Sequence, residues 1–180
     1  MSYKEDSDMK IVGETPKEDS DSMDETAHLL KHEQQNGNLD RARMLAATLI
    51  NSAKQADVDH PIHNNKLRLQ RWLVLLFAAD VEINRLLPNE LVADTASSSF
   101  YSLLQTEAVD VYNAVEQNGS LSFYYLCQDN GNIDRQKASK TFASLCGFSN
   151  SEFVTKVGKI IVDECIDKVT KIVKDLDFKS

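Results

Sequence analysis

The chain carries, at residues 66–87, the stretch KLRLQRWLVLLFAADVEINRLL, which we predict to form a central helix. Asn65 before it is a favoured N-cap residue and Pro88 after it cannot continue a helix, so the predicted helix covers residues 65–87. Its segment Trp72–Ala79 contains eight consecutive apolar residues. The helix is therefore apolar on every side there and needs other helices around it. Eight residues are far fewer than the roughly 20 that cross a bilayer.

The charge of the chain is distributed unevenly. Of 180 residues, 42% are hydrophobic and 27% are charged, which is ordinary for one globular domain. Residues 1–26 contain nine acidic residues and three lysines, whereas the net charge of the whole chain is −8. The remainder therefore carries only −2. Neither part has the basic surface that binds nucleic acids or anionic membranes, so we expect no nucleic acid and no membrane as partners.

The first residues differ in composition from the rest. Residues 1–21 are rich in Ser, Asp, Glu and Lys and have almost no large apolar side chains. Such a segment cannot bury enough surface to offset the entropy of ordering. We predict a disordered acidic tail over residues 1–21 and a helical bundle domain over residues 22–180. The tail has a functional interpretation as an arm for a basic partner, but a solvated tail is the commoner case.

The N-terminus and the cysteines indicate the compartment. The opening MSYKED has neither the apolar segment nor the cleavage site of a secretory signal. Cys127, Cys146 and Cys165 are odd in number and lack the CxxC spacing. We therefore expect a cytoplasmic protein with buried thiols and without disulfides or thiolate-bound metal.

Helical periodicity and capping signals predict an all-α, single-domain bundle of about seven helices. A capping box of Ser22 and Glu25 starts the first helix, and one of Ser149 and Glu152 starts the last. Three Asn-Gly pairs are interpreted as corners between helices. These pairs lie at 36–37, 118–119 and 130–131. Besides 65–87, the predicted helices cover 22–36, 39–57, 89–117, 121–127, 133–146 and 150–176.

The last predicted helix is long and strongly amphipathic. Its apolar residues, from Val154 to Leu176, lie on one arc, and its charged residues lie on the other. Gly158 falls within the apolar arc. A glycine there lowers helix propensity but lets another helix approach closely, so we expect a tight helix crossing at this position.

Asp80 is the first candidate site residue. It is the one charged residue on the most apolar face of the central helix, and Asn84 follows four residues later. A buried carboxylate needs a partner. We expect Asp80 to fix the register of the helices with a cationic partner; the alternative is a ligand or proton-transfer group in a pocket.

Two basic residues near the start of the central helix form the second candidate. Arg68 and Arg71 lie close to the helix N-terminus, where an anion is favoured. The alternative use, which we favour, is pairing with carboxylates of neighbouring helices.

A weaker metal alternative rests on the histidines. Glu25 and His28 have the Glu-x-x-His spacing of carboxylate-bridged metal bundles, and His32 lies four residues after His28. A di-iron bundle needs that motif twice, and the sequence contains it once. Solvated histidines are therefore the preferred interpretation, and we expect no cofactor.

These observations predict a non-enzymatic, cytoplasmic helical protein that binds a protein partner. No phosphate loop, nucleophile elbow or His-Glu-x-x-His motif indicates enzymatic chemistry. The alternative is a metal- or small-ligand-binding bundle that uses Asp80 or the residues Glu25, His28 and His32. Formation of a homo-oligomer stays open.

Overall fold

A computed structural model describes the backbone of residues 18–179 and the side chains of residues 24–117 and 119–179. Within these residues the protein is an all-α bundle of eight helices with one very short β-hairpin. The tail prediction for residues 1–17 lies outside the described part, whereas residues 18–21 belong to the first helix. The helices are α1 Glu18–Gln35, α2 Asn38–Asp59, α3 Asn65–Leu86, α4 Glu90–Glu107, α5 Val109–Asn118, α6 Ser120–Tyr125, α7 Arg135–Leu145 and α8 Glu152–Leu176.

Helix α3 is the buried centre that its apolar run predicts. Every residue from Trp72 to Ala79 is buried. The cap lies one residue earlier than predicted, since the Asn64 side chain accepts hydrogen bonds from the backbone nitrogens of Lys66 and Leu67. Helix α8 packs along α3, and α4 packs most extensively against α2. None of the helices in residues 18–179 combines the length and the apolarity that a bilayer-spanning segment needs.

The prediction of one helix over residues 89–117 is wrong. The chain leaves helical geometry at Ala108, with φ −139° and ψ 54°, and α5 begins at the next residue. Ala108 and Val111 are buried, and the break brings Asp110 to Arg68. Helix α4 is continuous through the serine run at residues 97–99.

One of the three predicted corners is also wrong. Gly37 and Gly119 have positive φ and connect helices, as expected. At Asn130 and Gly131, however, φ is 47° and 75°, the two successive positive values of a type I′ turn. This turn joins β1 (Gln128–Asp129) to β2 (Asn132–Ile133).

The two helices after the hairpin start later than predicted. Asp134 caps α7, so this helix begins at Arg135 rather than near Ile133. Ser151, rather than Ser149, caps α8 by accepting a hydrogen bond from the backbone nitrogen of Val154. In both cases the capping side chain is that of the residue directly before the helix, and it accepts a hydrogen bond from a backbone N–H group of the first turn.

The tight crossing at Gly158 is confirmed. Gly158 is buried where α8 crosses α7. A Cβ atom on this residue would lie 2.8 Å from Cδ1 of Phe142 and 3.0 Å from the carbonyl oxygen of Ser139. The absence of a side chain therefore sets the distance between the two helices. The three cysteines are buried free thiols, as expected.

Candidate functional site

Asp57, near the end of α2, binds both arginines of the predicted anion site. Its Oδ2 accepts hydrogen bonds from Arg68 Nε at 2.8 Å and from the Trp72 indole nitrogen at 2.9 Å. Its Oδ1 accepts one from Arg71 Nη2. Arg68 Nη1 also donates to Asp110 Oδ2 at 2.7 Å. Both arginines therefore pair with carboxylates of neighbouring helices, which is the alternative that the sequence favoured.

The charges of this cluster are mutually stabilised. Burial alone would raise the pKa of Asp57, but hydrogen bonds from Trp72, Arg68 and Arg71 outweigh it and lower that pKa from its ordinary value. Hydrogen bonds to Asp110 and Asp57 raise the pKa of Arg68. Two arginines thus face two carboxylates. The charge of each arginine is balanced within the cluster, so neither is free to bind an added anion.

A groove opens beside the cluster between α2, α3 and α8, with a volume of about 230 Å³. We call it the α8 groove. Trp72, Leu75 and Ile161 provide apolar lining, and Glu164 and Lys168 of α8 provide charges. No local sequence pattern predicts this groove, because its lining comes from three helices that lie far apart in the chain.

Asp80 has a different partner from the one expected. Its side chain is half-buried, and its Oδ2 accepts a hydrogen bond from the Tyr125 hydroxyl at 2.7 Å. Burial and the hydrogen bond to Asp80 raise the pKa of Tyr125, which stays a neutral donor. The predicted cationic partner is therefore wrong. Asn84 donates to the backbone oxygen of Asp80 at 2.8 Å, a bond within α3.

Glu82 is the fully buried carboxylate of α3. Its side chain is 3% exposed and forms an ion pair with Arg85. Thr170 of α8 lies within 3.5 Å of the same carboxylate oxygen. Arg85 follows Glu82 at the i,i+3 spacing of helix ion pairs, and this spacing was the signal that the sequence offered.

The structure does not group the residues of the weaker metal alternative, Glu25, His28 and His32, into a metal site. His32 Nδ1 lies 3.1 Å from Glu33 Oε1, and both Glu25 and His28 are exposed. Within residues 24–117 and 119–179, no three His, Cys, Asp or Glu side chains are grouped as metal ligands.

Glu33, near the end of α1, is a buried anchor that no sequence pattern indicated. Its Oε2 accepts hydrogen bonds from Asn38 Nδ2 at 2.6 Å and from Asn36 Nδ2 at 3.2 Å. Its Oε1 accepts one from Nδ2 of Asn89, the N-cap of α4, at 3.1 Å. Burial alone would raise the pKa of Glu33. These hydrogen bonds and the one with His32 outweigh burial, so the pKa of Glu33 is lowered from its ordinary value.

Asn38 extends the anchor to the other end of the chain. Its Oδ1 accepts the backbone N–H of Lys179 at 2.9 Å, and its Nδ2 donates to the carbonyl oxygen of Lys179 at 2.8 Å. Asn38 is itself completely buried. The end of α1, the start of α2 and the segment after α8 are thus joined by one buried amide.

The part of α1 before this anchor is exposed. All nine residues from 24 to 32 are exposed, and they define what we call the α1 surface. Leu29 and Leu30 are 38% and 45% exposed. They precede Glu33 by four and three residues, so they lie on the side of α1 that meets the body. The apolar side of α1 therefore continues past the edge of the bundle.

Comparison with protein-family models, curated proteins and solved structures finds no match to this chain.

Proposed function

We propose that the protein is a non-enzymatic binding module that docks a protein partner on the α1 surface. The single observation that carries the proposal is the contrast between an anchored end and an exposed face in one helix. Glu33 ties the end of α1 to Asn36, Asn38 and Asn89, while Leu29 and Leu30, one turn earlier in the helix, are 38% and 45% exposed. A helix held in place before binding loses less entropy when a partner covers it.

The charge of α1 specifies the partner. Residues 18–35 contain six acidic residues and one lysine. Two copies of so acidic a helix repel each other, which disfavours pairing of α1 with itself. The complementary partner has an apolar groove with basic residues along its edges and receives Leu29 and Leu30 in the groove.

The proposal has two further parts, the location of the protein and the exclusion of a rival class. The proposed cytoplasmic location is supported by the three cysteines, which are free thiols, as is usual in a reducing compartment. The rival class, a bundle that binds metal or a small ligand through Asp80, is weakened because Tyr125 already donates to that carboxylate.

An affinity pull-down with mass spectrometry tests the proposal. The bait is the full chain, and the variant carries Leu29→Asp together with Leu30→Asp, which removes the apolar side of the α1 surface. Met44→Asp is the matched control, since Met44 is an exposed apolar residue of α2. Circular dichroism checks that all three proteins have the same helix content.

The expected result is a basic protein retained by the wild type and by Met44→Asp, lost with the double variant, and eluted by raising the salt concentration. If the wild type and the double variant retain the same proteins, the α1 surface is not the docking site and the proposal fails.

A further inference from the structure

The α8 groove is a site of a kind different from the α1 surface. Its lining includes Trp72 and Leu75 of α3 and Ile161 of α8, with two small alanines of α2 opposite them. Its volume of about 230 Å³ lies below the roughly 300–1,000 Å³ of pockets for drug-sized ligands. The groove therefore fits a small molecule with one apolar group.

The charged residues of the lining restrict the ligand's chemistry more than the apolar residues do. Lys168 is half-buried, yet within residues 24–117 and 119–179 it has no ion-pair or hydrogen-bond partner. Glu164, one helical turn before it, is exposed to solvent; it lines the same groove and likewise has no partner in that part of the chain. Residues four apart lie on one face of a helix, about 5–6 Å apart at Cβ. Glu164 and Lys168 could pair with each other, but they do not.

Arg71 also borders the groove, but its charge is already used. Its guanidinium binds Asp57, and a weaker contact of 3.4 Å reaches the backbone oxygen of His60. Apart from the exposed side chain of His60 at its edge, the groove therefore has one cation and one anion without a partner. A simple anion would meet repulsion from Glu164, and a simple cation would meet repulsion from Lys168.

We propose that the α8 groove binds a free apolar α-amino acid as its zwitterion. The ligand carboxylate accepts hydrogen bonds from Lys168, and the ligand ammonium donates to Glu164. The ligand side chain packs against Trp72, Leu75 and Ile161. In an α-amino acid the two charged groups are attached to one carbon, which matches a cation and an anion on adjacent turns of one helix.

The thiol in the groove takes no part in a covalent step. Cys165 lines the groove, and burial raises the pKa of its thiol to about 12. At neutral pH it is a protonated thiol, which is a weak nucleophile. The groove therefore binds its ligand reversibly.

The chain contains a built-in reporter for the test. Trp72 is the one tryptophan of the sequence, and its ring lines the groove. Titration of the full chain with L-leucine is followed by tryptophan fluorescence, and calorimetry in parallel detects binding that leaves the ring unperturbed. N-acetyl-L-leucine lacks the ammonium, and isoamylamine lacks the carboxylate, so each removes one half of the proposed contact.

Two variants and one control locate the site. Lys168→Gln and Glu164→Gln each remove one charge, and Lys171→Gln removes an exposed charge of the same helix. We expect saturable binding of L-leucine to the wild type and to Lys171→Gln. Both analogues and both groove variants should bind at least about tenfold more weakly, because each loses a charge-assisted contact.

Three results would overturn the proposal. The first is no saturable signal in either measurement up to about 10 mM L-leucine, a concentration well above a millimolar dissociation constant. The second is equal affinity for N-acetyl-L-leucine, which would rule out a zwitterion site. The third is equal affinity in the two groove variants. None of these results bears on docking at the α1 surface.

Discussion

Helices α3 and α1 are similar in length but lie in opposite environments. Twelve of the 22 residues of α3 are buried, whereas among the described side chains of α1 only that of Glu33 is buried. The apolar run 72–79 holds α3 through contacts along its whole length. In contrast, α1 is fixed to the body mainly by polar contacts at one end. The same secondary structure thus serves as a support in one region and as an exposed surface in the other.

A matched truncation of one leucine in each helix tests this comparison directly. Leu76 of α3 is completely buried, so Leu76→Ala should cost about 2–5 kcal/mol through lost burial and the cavity left behind. Leu30→Ala in α1 should change the free energy of unfolding by less than about 0.5 kcal/mol. Urea denaturation measures both. Similar losses at the two positions would mean that α1 is packed as firmly as α3.

Gly158 tests how tightly the bundle behind α3 is packed. Gly158→Leu should cost about 1–3 kcal/mol, because the new side chain would overlap Phe142 and the Ser139 carbonyl. Gly158→Ala should cost less, but it should still destabilise. Lys159→Leu, at the exposed neighbouring position, is the matched control. Increased stability of both glycine variants would contradict the close crossing.

The Asp57 cluster should have a smaller effect, because its side chains are partly exposed. Asp57→Asn keeps the shape but removes the charge that faces Arg68 and Arg71. We expect a loss of about 1–2 kcal/mol by chemical denaturation at pH 7. An unchanged free energy of unfolding would show that solvent already screens the pair.

The pH dependence of the same variant sharpens this prediction. The folded-state pKa of Asp57 is lowered, so its contribution to stability is present above the unfolded pKa of about 3.9 and is lost as the pH falls through the folded value. The wild type should therefore lose more stability than Asp57→Asn between pH 6 and pH 3. Glu33 has a lowered pKa as well, but it is present in both proteins and cancels. A constant difference over this range would contradict the cause given.

Asp80→Asn should destabilise the protein less than the changes at Leu76, Gly158 and Asp57. Asp80→Asn leaves an oxygen that can still accept the hydrogen bond from Tyr125, so only the charge-assisted part is lost. We expect a change of about 1 kcal/mol or less in chemical denaturation. A cationic partner would make the loss about 3–5 kcal/mol, so a loss of that size would restore the original interpretation.

Features that depend on local spacing could be predicted from the sequence. The apolar run 72–79 required a buried helix, and Gly158 on an apolar arc required a close neighbour. Both signals refer to one helix and its own periodicity. Helix ends were less accurate, because Asn64 and Asn65, or Ser149 and Ser151, are equally good caps by residue type.

Features that depend on distant partners could not be predicted. Ala108 is a strong helix former by residue type, yet the helix breaks there and brings together Asp110 and Arg68, 42 residues apart. Asp80 and Tyr125 are 45 residues apart, and Glu33 and Asn89 are 56 apart. Each pairing is decided by the packing of the whole bundle. The α8 groove was missed for the same reason, although Glu164 and Lys168 are visible in the sequence as one turn of a helix.

The contact between Asn38 and Lys179 has a consequence for biosynthesis. It joins residues 141 apart in the chain. At roughly 5–20 residues per second, the ribosome needs about 7–28 s to make the intervening chain. During this time the amide oxygen of Asn38 has no backbone N–H of Lys179 to accept. The junction between α1 and α2 is therefore completed only after Lys179 has been synthesised and has left the ribosome. Ribosome-bound chains arrested at increasing length should show protection of α2 from proteases rising last at its first turn.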